Sequence, residues 1–440
     1  PLFAVDAKNN TTPILCSSYH ITPDNRTWTI YLEPDATFSD GTRVTVQDVV
    51  ASYEQARGNV YYKGRFTHIA RVELSSDGGV DFFLDTPYQN LALLLDIPIV
   101  KASEVSSDNP LGTGPYSLEE GIGGKHLQRV VNWWCKSENL VAKDSSIALV
   151  EAESPSQIRD EFEFSGLSVV CTNPQTDSYA DYRCDFELWE VDSGFLMYIG
   201  CNVTYSKFFD DGTLRTFLTY GIDRQTLVDD NYGGLALPTT LPISPMSPYY
   251  SKSLAANYDY DEMRFIDAAS KLRVPTNDKG VPRTLQLLVN SDDSARLRCA
   301  RNIAATLTEL GLACETVESP TSVYEARLQA ANYDIYLGIT KLPTTADLSE
   351  FYRPWGEMSW GGLANETIYN MVNQSLADRG NYYNLHKLVA DDGRTIPVMA
   401  GYAVYAKRGV LSDLNPARDN VFYYTLGKTM ESSKVATQFS

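Results

Sequence analysis

The chain has 440 residues and a formal net charge of −19 at pH 7. A chain of this length is too long to fold around a single hydrophobic core, so we expect two or three domains. Hydrophobic residues make up 43% and charged residues 21%, which excludes a chain that is disordered throughout. The net negative charge argues against nucleic acid as a partner, because a protein that binds phosphates needs a basic surface. No apolar run approaches the roughly 20 residues of a membrane helix.

The first hundred residues predict a small α+β unit. Residues 27–33 show the composition and alternation of a β-strand. Thr45 is expected to be the N-cap of a helix, and Asp48 takes the place of the usual Glu in a capping box. Residues 71–74 and 80–84 predict two further strands that meet at an Asp-Gly-Gly turn.

Stretches rich in Pro and Gly divide the middle of the chain. Residues 109–116 predict a domain boundary, and four prolines between 238 and 248 predict a long extended loop. Between these stretches, residues 156–164 predict a helix. The apolar stripe of residues 214–222 predicts another helix, which ends near Asp223.

The most regular pattern follows the proline-rich loop. Apolar strands are predicted at 285–289, 312–317 and 333–339. Residues 291–293 supply the N-cap of the first intervening helix, and Ser322 with Glu325 form a capping box for the second. This order implies parallel strands in a doubly wound α/β domain. Because ligands in such sheets lie beyond the carboxyl ends of the strands, the pattern points to Thr340, Lys341 and the following loop.

Sequence motifs of catalysis and of metal binding are absent. The chain has no G-x-S-x-G, P-loop or H-E-x-x-H motif, and its four His and seven Cys lack zinc-site spacing. The Gly-rich run 121–124 lacks the strand-to-helix context of a phosphate-binding loop. We therefore expect no enzymatic activity and no metal or organic cofactor. A secreted hydrolase that uses a pair of acidic residues is an alternative without a supporting motif.

Aromatic residues give a positive signal. The chain has 28 Tyr against 16 Phe, and Tyr suits wet binding clefts as well as cores. Residues 351–360 place Trp355 and Trp360 in a loop just past the third predicted parallel strand. These side chains are suited to clamping a ligand; the alternative is that they cover the end of the sheet.

Several segments, in order along nearly the whole chain, resemble family 5 extracellular solute-binding proteins. These proteins are the oligopeptide, dipeptide and nickel-complex receptors of ABC importers. The matching segments are residues 28–54, the GTGPY run at 112–116, residues 217–250, the α/β unit at 284–340 and Ile396-Pro397-Val398. Each motif alone is weak, but the ordered set is specific.

The resemblance implies an α/β fold: a two-lobed, periplasmic-binding-protein-like clamp of class II, with three domains and mixed sheets flanked by helices. Domain II would be residues 1–109 and domain I residues 110–222 plus 397–440, which together form lobe 1. Domain III, residues 223–396, would form lobe 2. The lobes would close around a ligand. The expected ligand-binding residues are Tyr61, Tyr62, Tyr198, Thr340, Lys341, Asp347, Trp355, Trp360 and Tyr402.

The function implied by the resemblance is extracytoplasmic capture of a peptide or similar small polar solute. The protein would deliver this solute to the permease of an ABC importer. It would reside in the periplasm or, as a lipoprotein, on the outer face of the cell membrane, attached only through an N-terminal lipid anchor outside this chain. A non-transport sensor or pheromone-binding module is an alternative, since its fold would be the same.

Two departures from the family pattern concern the expected site. Family members carry further residues before Leu2, including a first strand and a cleft-lining segment. Peptide receptors also place a Trp and an Asp just after the third strand, and the Asp pairs with the peptide's ammonium group. Here residues 338–343 contain neither, and Lys341 has the opposite charge. If Lys341 points into the cleft, it favours a carboxylate; the alternative is that it faces solvent. Asp347 fits the family's later Asp-Pro position better than the anchor position.

Overall fold

A computed structural model of the chain defines the architecture. It describes residues 1–62, 64–135, 144–152, 154–164, 166–172, 182–407 and 417–419. Helices in these ranges are all too short or too polar to cross a membrane.

The N-terminal unit is an antiparallel sheet covered by a helix. Its elements are β1 (Phe3–Val5), β2 (Thr11–Pro13), β3 (Cys16–Ile21), β4 (Thr27–Leu32), α1 (Val46–Arg57), β5 (Ile69–Leu74) and β6 (Val80–Leu84). The strand order is β3-β4-β6-β5, and β1 pairs with β2. Asp48 Oδ2 accepts hydrogen bonds from the backbone N of Thr45 at 2.8 Å and from its hydroxyl at 2.7 Å. The predicted strands and the helix start at Thr45 are therefore confirmed.

The middle of the chain contributes a small sheet and the first strands of a larger one. Its elements are β7 (Tyr116–Gly121), β8 (Gly124–Arg129), β9 (Ser146–Ala148), α2 (Pro155–Phe164), β10 (Val169–Thr172), β11 (Glu187–Cys201), α3 (Thr213–Phe217) and α4 (Arg224–Tyr232). The strands β7, β8 and β9 pair in that order and are antiparallel. Helix α2 confirms the helix predicted at 156–164.

The helix predicted to continue through residue 222 is wrong. Helix α3 ends at Phe217, a 3-10 turn follows, and Asp223 begins α4 by accepting a hydrogen bond from the backbone N of Thr226 at 3.1 Å. The chain also passes very close to its neighbours here. A Cβ atom on Gly221 would lie 2.7 Å from the ring of Phe265. Tertiary packing and a local cap thus divide an apolar stripe that by itself looks continuous.

The second half completes the larger sheet and flanks it with helices. Its elements are β12 (Leu237–Pro238), α5 (Lys252–Ala255), α6 (Glu262–Ser270), β13 (Leu285–Asn290), α7 (Ser294–Glu309), β14 (Cys314–Ser319), α8 (Thr321–Gln329), β15 (Ile335–Lys341), α9 (Ser349–Tyr352), α10 (Glu366–Ala377), α11 (Tyr382–Asp392) and β16 (Thr395–Lys407). The strand order of this main sheet is β10-β16-β11-β15-β13-β14, with β12 paired to β16. Strand β13 is parallel to both β14 and β15, which confirms the predicted parallel unit.

The start of α8 corrects a detail of that unit. The helix begins at Thr321 and lacks the capping box predicted for Ser322 and Glu325. Asp292, in the loop before α7, instead accepts hydrogen bonds from the backbone N of Thr321 at 2.9 Å and from its hydroxyl at 2.7 Å. A carboxylate from a neighbouring loop therefore replaces the local cap.

The main sheet joins strands from both sides of the predicted domain boundaries. Strands β10 and β11 belong to residues 110–222, β13 to β15 belong to residues 223–396, and β16 crosses from 396 to 397. A shared hydrophobic cluster also contains Tyr53 and Phe82 of the N-terminal unit and Phe351 of the second half. The division into 1–109, 110–222 plus 397–440, and 223–396 stays a prediction.

Candidate functional site

A charged recess lies where the N-terminal unit meets the carboxyl end of β15. The residues that line it are Tyr61, Tyr62, Arg65, Lys341, Leu342, Pro343 and Asp419, and we call this set the recess. Its cavity of about 40 Å³ has room for a single small polar group rather than a whole solute. The recess lies at the edge of the main sheet to which the strand pattern pointed.

Local structure places the recess side chains. Tyr61 and Tyr62 belong to a 3-10 turn that follows α1. Lys341 is the last residue of β15 and pairs with Phe195 of β11, while its neighbour Thr340 pairs with Leu196. The two sides of the recess therefore come from the N-terminal unit and from the main sheet.

A carboxylate from the end of the chain connects the two sides. Lys341 Nζ donates to Asp419 Oδ1 at 2.5 Å and lies 5.2 Å from the ring centroid of Tyr61. Arg65 Nη1 donates to the other oxygen, Asp419 Oδ2, at 3.3 Å. Arg65 also pairs with Asp96 and donates to the carbonyl of Leu94. Lys341 thus points into the recess, while about a third of its side chain stays exposed to solvent.

The electrostatics of the recess favour the charged form of Asp419. Burial alone would raise the pKa of Asp419, but the cations Arg418, Arg65 and Lys341 hold that pKa below its usual value. Burial lowers the pKa of Arg65, and Asp419 opposes this effect. Asp419 is consequently a buried carboxylate whose charge depends on its cationic neighbours.

A wider cavity shares the Tyr62 wall with the recess. It has a volume of about 480 Å³, within the usual range of about 300–1,000 Å³ for small-molecule sites. Its lining residues are Arg57, Gly58, Asn59, Tyr62, Gly64, Phe66, Thr67, Asp85, Glu350, Arg353, Glu357 and Tyr369. Glu350 fixes this wall by accepting hydrogen bonds from Thr67 Oγ1 at 2.8 Å and from Arg353 Nη2 at 2.9 Å.

Asp347 lies in a second charged group, which we call the His68 cluster and which comprises His68, Asp85, Asp347 and Ser349. His68 Nδ1 donates to Asp85 Oδ1 at 2.7 Å. Its Nε2 lies 2.8 Å from Ser349 Oγ and 3.3 Å from Asp347 Oδ2. Burial alone would lower the pKa of His68, but Asp347 and Asp85 outweigh it and raise the pKa to about 10. Burial likewise opposes ionisation of Asp347, whose pKa His68 nevertheless holds below its usual value.

Three other predicted site residues, Tyr198, Trp355 and Trp360, lie apart from the recess. Tyr198 is fully buried, and its ring packs edge-on against Tyr336 and Phe351 at centroid distances of 5.7 and 5.0 Å. Trp355 is 95% exposed in the loop after α9, and Trp360 is half-buried in a 3-10 turn. The side chain of Tyr402 lies outside the described residues.

The structure therefore brings together Tyr61, Tyr62 and Lys341, with Thr340 adjacent in the strand. Sequence reasoning missed Arg65 and Asp419. Arg65 follows the Tyr pair closely and could have been found by extending that segment. Asp419 is 354 residues away from Arg65 in the chain and carries no local signal. Within the described part of the chain, no group of three or more His, Cys, Asp or Glu side chains could hold a metal ion.

Comparison with known proteins gives the family. Residues 10–362 match the family described as bacterial extracellular solute-binding proteins, family 5 Middle. The chain belongs to this family. The glutathione-binding protein GsiB of Escherichia coli O6:K15:H31 is 24% identical over 296 residues, which cover 62% of this chain and 55% of GsiB. GsiB of Salmonella typhi is 24% identical over 280 residues, covering 59% and 52%. The family member thus spans about half the length of these curated relatives.

Solved structures confirm the fold class, a mixed α/β periplasmic-binding-protein clamp. AppA from Clostridium difficile superposes with a TM-score of 0.79 at 17% identity, covering 98% of this chain and 94% of AppA. NikA from Brucella suis, in complex with Fe(III)-EDTA, has a TM-score of 0.77 at 17% identity, covering 98% and 93%. AppA from Bacillus subtilis, in complex with a nonapeptide, has a TM-score of 0.67 at 17% identity, covering 98% and 92%.

Proposed function

We propose that the protein is a solute receptor that captures a peptide or similar small polar solute and delivers it to an ABC importer. The observation that carries this proposal is the recess, with the wider cavity behind Tyr62, at the meeting of the N-terminal unit and β15. A site between two parts of a clamp can bind by closing on its ligand. Membership in a family described as extracellular solute-binding proteins supports this reading.

Tyr61, Tyr62, Thr340 and Lys341 are the proposed direct contacts of the solute. The two Tyr side chains offer flat surfaces with a polar edge, and Lys341 offers a charge. Asp347 and Tyr198 belong to buried clusters apart from the recess, and in this proposal they hold the surrounding structure in place. Trp355, Trp360 and Tyr402 keep their predicted role in ligand binding as part of the proposal.

The related proteins support a role in solute binding, but they do not indicate which solute this protein binds. GsiB is named a glutathione-binding protein, and the two neighbouring structures hold Fe(III)-EDTA and a nonapeptide. These ligands differ in size and charge, so the choice in this protein depends on its own side chains. Two finer points belong to the proposal. The partner is an ABC permease, and the protein is located in the periplasm or, through a lipid anchor, on the outer face of the cell membrane.

Native mass spectrometry of the purified protein tests the proposal. The protein is exposed to a peptide-rich bacterial culture extract, and we expect a discrete bound mass that disappears after unfolding and dialysis. Tyr62→Ala removes the wall shared by both cavities and should lower occupancy at least about 10-fold, as expected for a large aromatic contact. Tyr383→Ala, at an exposed position on α11, is the matched control. If the wild-type protein binds nothing from the extract, the proposal is wrong.

A further inference from the structure

The charged side chains of the recess, counted with their ion-pair partners Arg418 and Asp96, are out of balance. Among the described residues, the cations Arg65, Arg418 and Lys341 face the carboxylates of Asp96 and Asp419. Four of these side chains are about one-tenth exposed, whereas Lys341 is 32% exposed. The group therefore holds an excess positive charge in a largely desolvated place, and its most accessible cation is Lys341.

An excess charge in such a place favours the entry of an anion. A cation removed from water costs free energy unless a partner compensates it. A charge-assisted hydrogen bond to a carboxylate is about twice as strong as a neutral one. The cavity of about 40 Å³ beside Lys341 admits a group of this size but excludes a bulky one.

Asp419 shows how a carboxylate occupies the recess. One of its oxygens accepts a hydrogen bond from Lys341 and the other from Arg65, so the carboxylate bridges the main sheet and the N-terminal unit. A carboxylate at the end of a solute offers the same two oxygens. Lys341 is exposed enough to exchange one carboxylate for another, while Arg65 is held by Asp96 and Leu94.

We propose that the recess selects solutes that present a carboxylate, which Lys341 and Arg65 bind, and that Asp419 occupies its place until such a solute enters. This inference rests on the proposed function and names the charge class of the solute. It also makes Asp419 an internal competitor. Loss of the Asp419 charge should therefore strengthen the binding of an anionic solute, whereas loss of Lys341 should weaken it.

The test uses the full chain and two matched pools of N-acetylated tripeptides, one with free C-terminal carboxylates and one with C-terminal amides. Native mass spectrometry measures which pool the protein binds when both are present in equal amounts. The wild type should favour the carboxylate pool about 10-fold, the effect of one charge-assisted hydrogen bond. Lys341→Met should remove that preference. Asp419→Asn should bind the carboxylate pool more tightly than the wild type does.

A second measurement does not depend on peptides. Sodium acetate, compared with sodium chloride at equal ionic strength, should raise the melting temperature of Asp419→Asn more than that of the wild type, because acetate fills the vacated place. Asp40→Asn is the matched control, since it breaks the Lys101–Asp40 ion pair, which lies outside the recess. If Asp419→Asn does not fold, the test depends on Lys341→Met, which should bind the carboxylate and amide pools equally.

The outcomes separate this inference from the proposed function. If the protein binds both pools equally, or binds the amide pool more strongly, it does not select carboxylates. The proposed receptor function is then unaffected. Weaker binding of the carboxylate pool by Asp419→Asn overturns the role of Asp419 as a competitor. If neither pool binds, the acetate measurement decides, and equal melting temperatures in acetate and chloride overturn the inference.

Discussion

Two charged groups link the N-terminal unit to the second half of the chain, and they differ in access to solvent. In the His68 cluster a cation with 3% exposure lies between Asp347, which is 6% exposed, and Asp85, which is 53% exposed. In the recess, Lys341 is a third exposed and a small cavity lies beside it. Both groups are ion pairs across two parts of the protein, but the cation is buried in the first and a third exposed in the second.

The difference indicates different roles for the two groups. The buried His68–Asp347 pair is not accessible to a solute, so its effect appears in folding stability. An ion pair with an accessible cation can exchange one carboxylate for another, so its effect appears in binding. This distinction gives measurable expectations for stability, pH, affinity and salt.

Removing the buried cation of the His68 cluster should have the largest effect. In His68→Leu the carboxylate of Asp347 stays buried without its cation, and the free energy of unfolding should fall by about 3–5 kcal/mol. Urea denaturation measures the change. His20→Leu, at an exposed position of β3, is the control and should change stability by less than about 0.5 kcal/mol. A loss below about 1 kcal/mol in His68→Leu would show that the hydrogen bond from the backbone N of Ser349 is enough to stabilise the buried Asp347.

Alkaline pH should weaken the same group more gradually. The pKa of His68 is about 10 in the folded protein against an ordinary value of 6.5, so folding takes up a proton between these values. The stabilisation is complete below pH 6.5 and is lost as the pH rises to about 10. The stability advantage of the wild type over His68→Leu should therefore shrink from pH 7 to pH 9, by at most about 1.4 kcal/mol per pH unit. An advantage that stays constant would contradict a protonated His68.

Changing the recess should alter binding while stability stays close to that of the wild type. Lys341→Met should lower the affinity for the solute found by mass spectrometry about 10-fold. The free energy of unfolding should change by less than about 1 kcal/mol, because Lys341 is partly exposed. Calorimetric titration and urea denaturation provide the two readouts. Lys101→Met, which removes the ion pair with Asp40, should leave affinity unchanged. Equal affinity losses in both variants would deny Lys341 a specific role.

Salt should give the smallest effect and separate the two groups again. Raising the ionic strength from about 0.05 to about 0.5 M screens exposed charges more than buried ones. Affinity for the same solute should fall a few-fold in the wild type and less in Lys341→Met. The stability difference between the wild type and His68→Leu should change little. If salt lowers the affinity equally in the wild type and in Lys341→Met, the charge of the solute does not pair with Lys341.

Local sequence patterns predicted much of the fold. The apolar runs that became β13 and β15, and the cap that begins α1, depend on neighbours a few residues away, so alternation and capping predict them. The break between α3 and α4 could not be predicted in this way, because the contact of Gly221 with Phe265 joins separate segments. Lys341 was expected just past the end of the third strand and is the last residue of β15, but its partner could not be predicted.

The sequence by itself determined the strand and helix order, the family resemblance and the edge of the sheet where a site is expected, since these depend on local periodicity and ordered motifs. Only the tertiary structure decided which charges meet. Ser349 lies 281 residues from His68, and Asp419 lies 78 residues from Lys341. In a chain with 56 acidic residues, no local pattern distinguishes the carboxylates that pair from those that face water. Folding selects them, because a buried cation requires a carboxylate within a few ångströms.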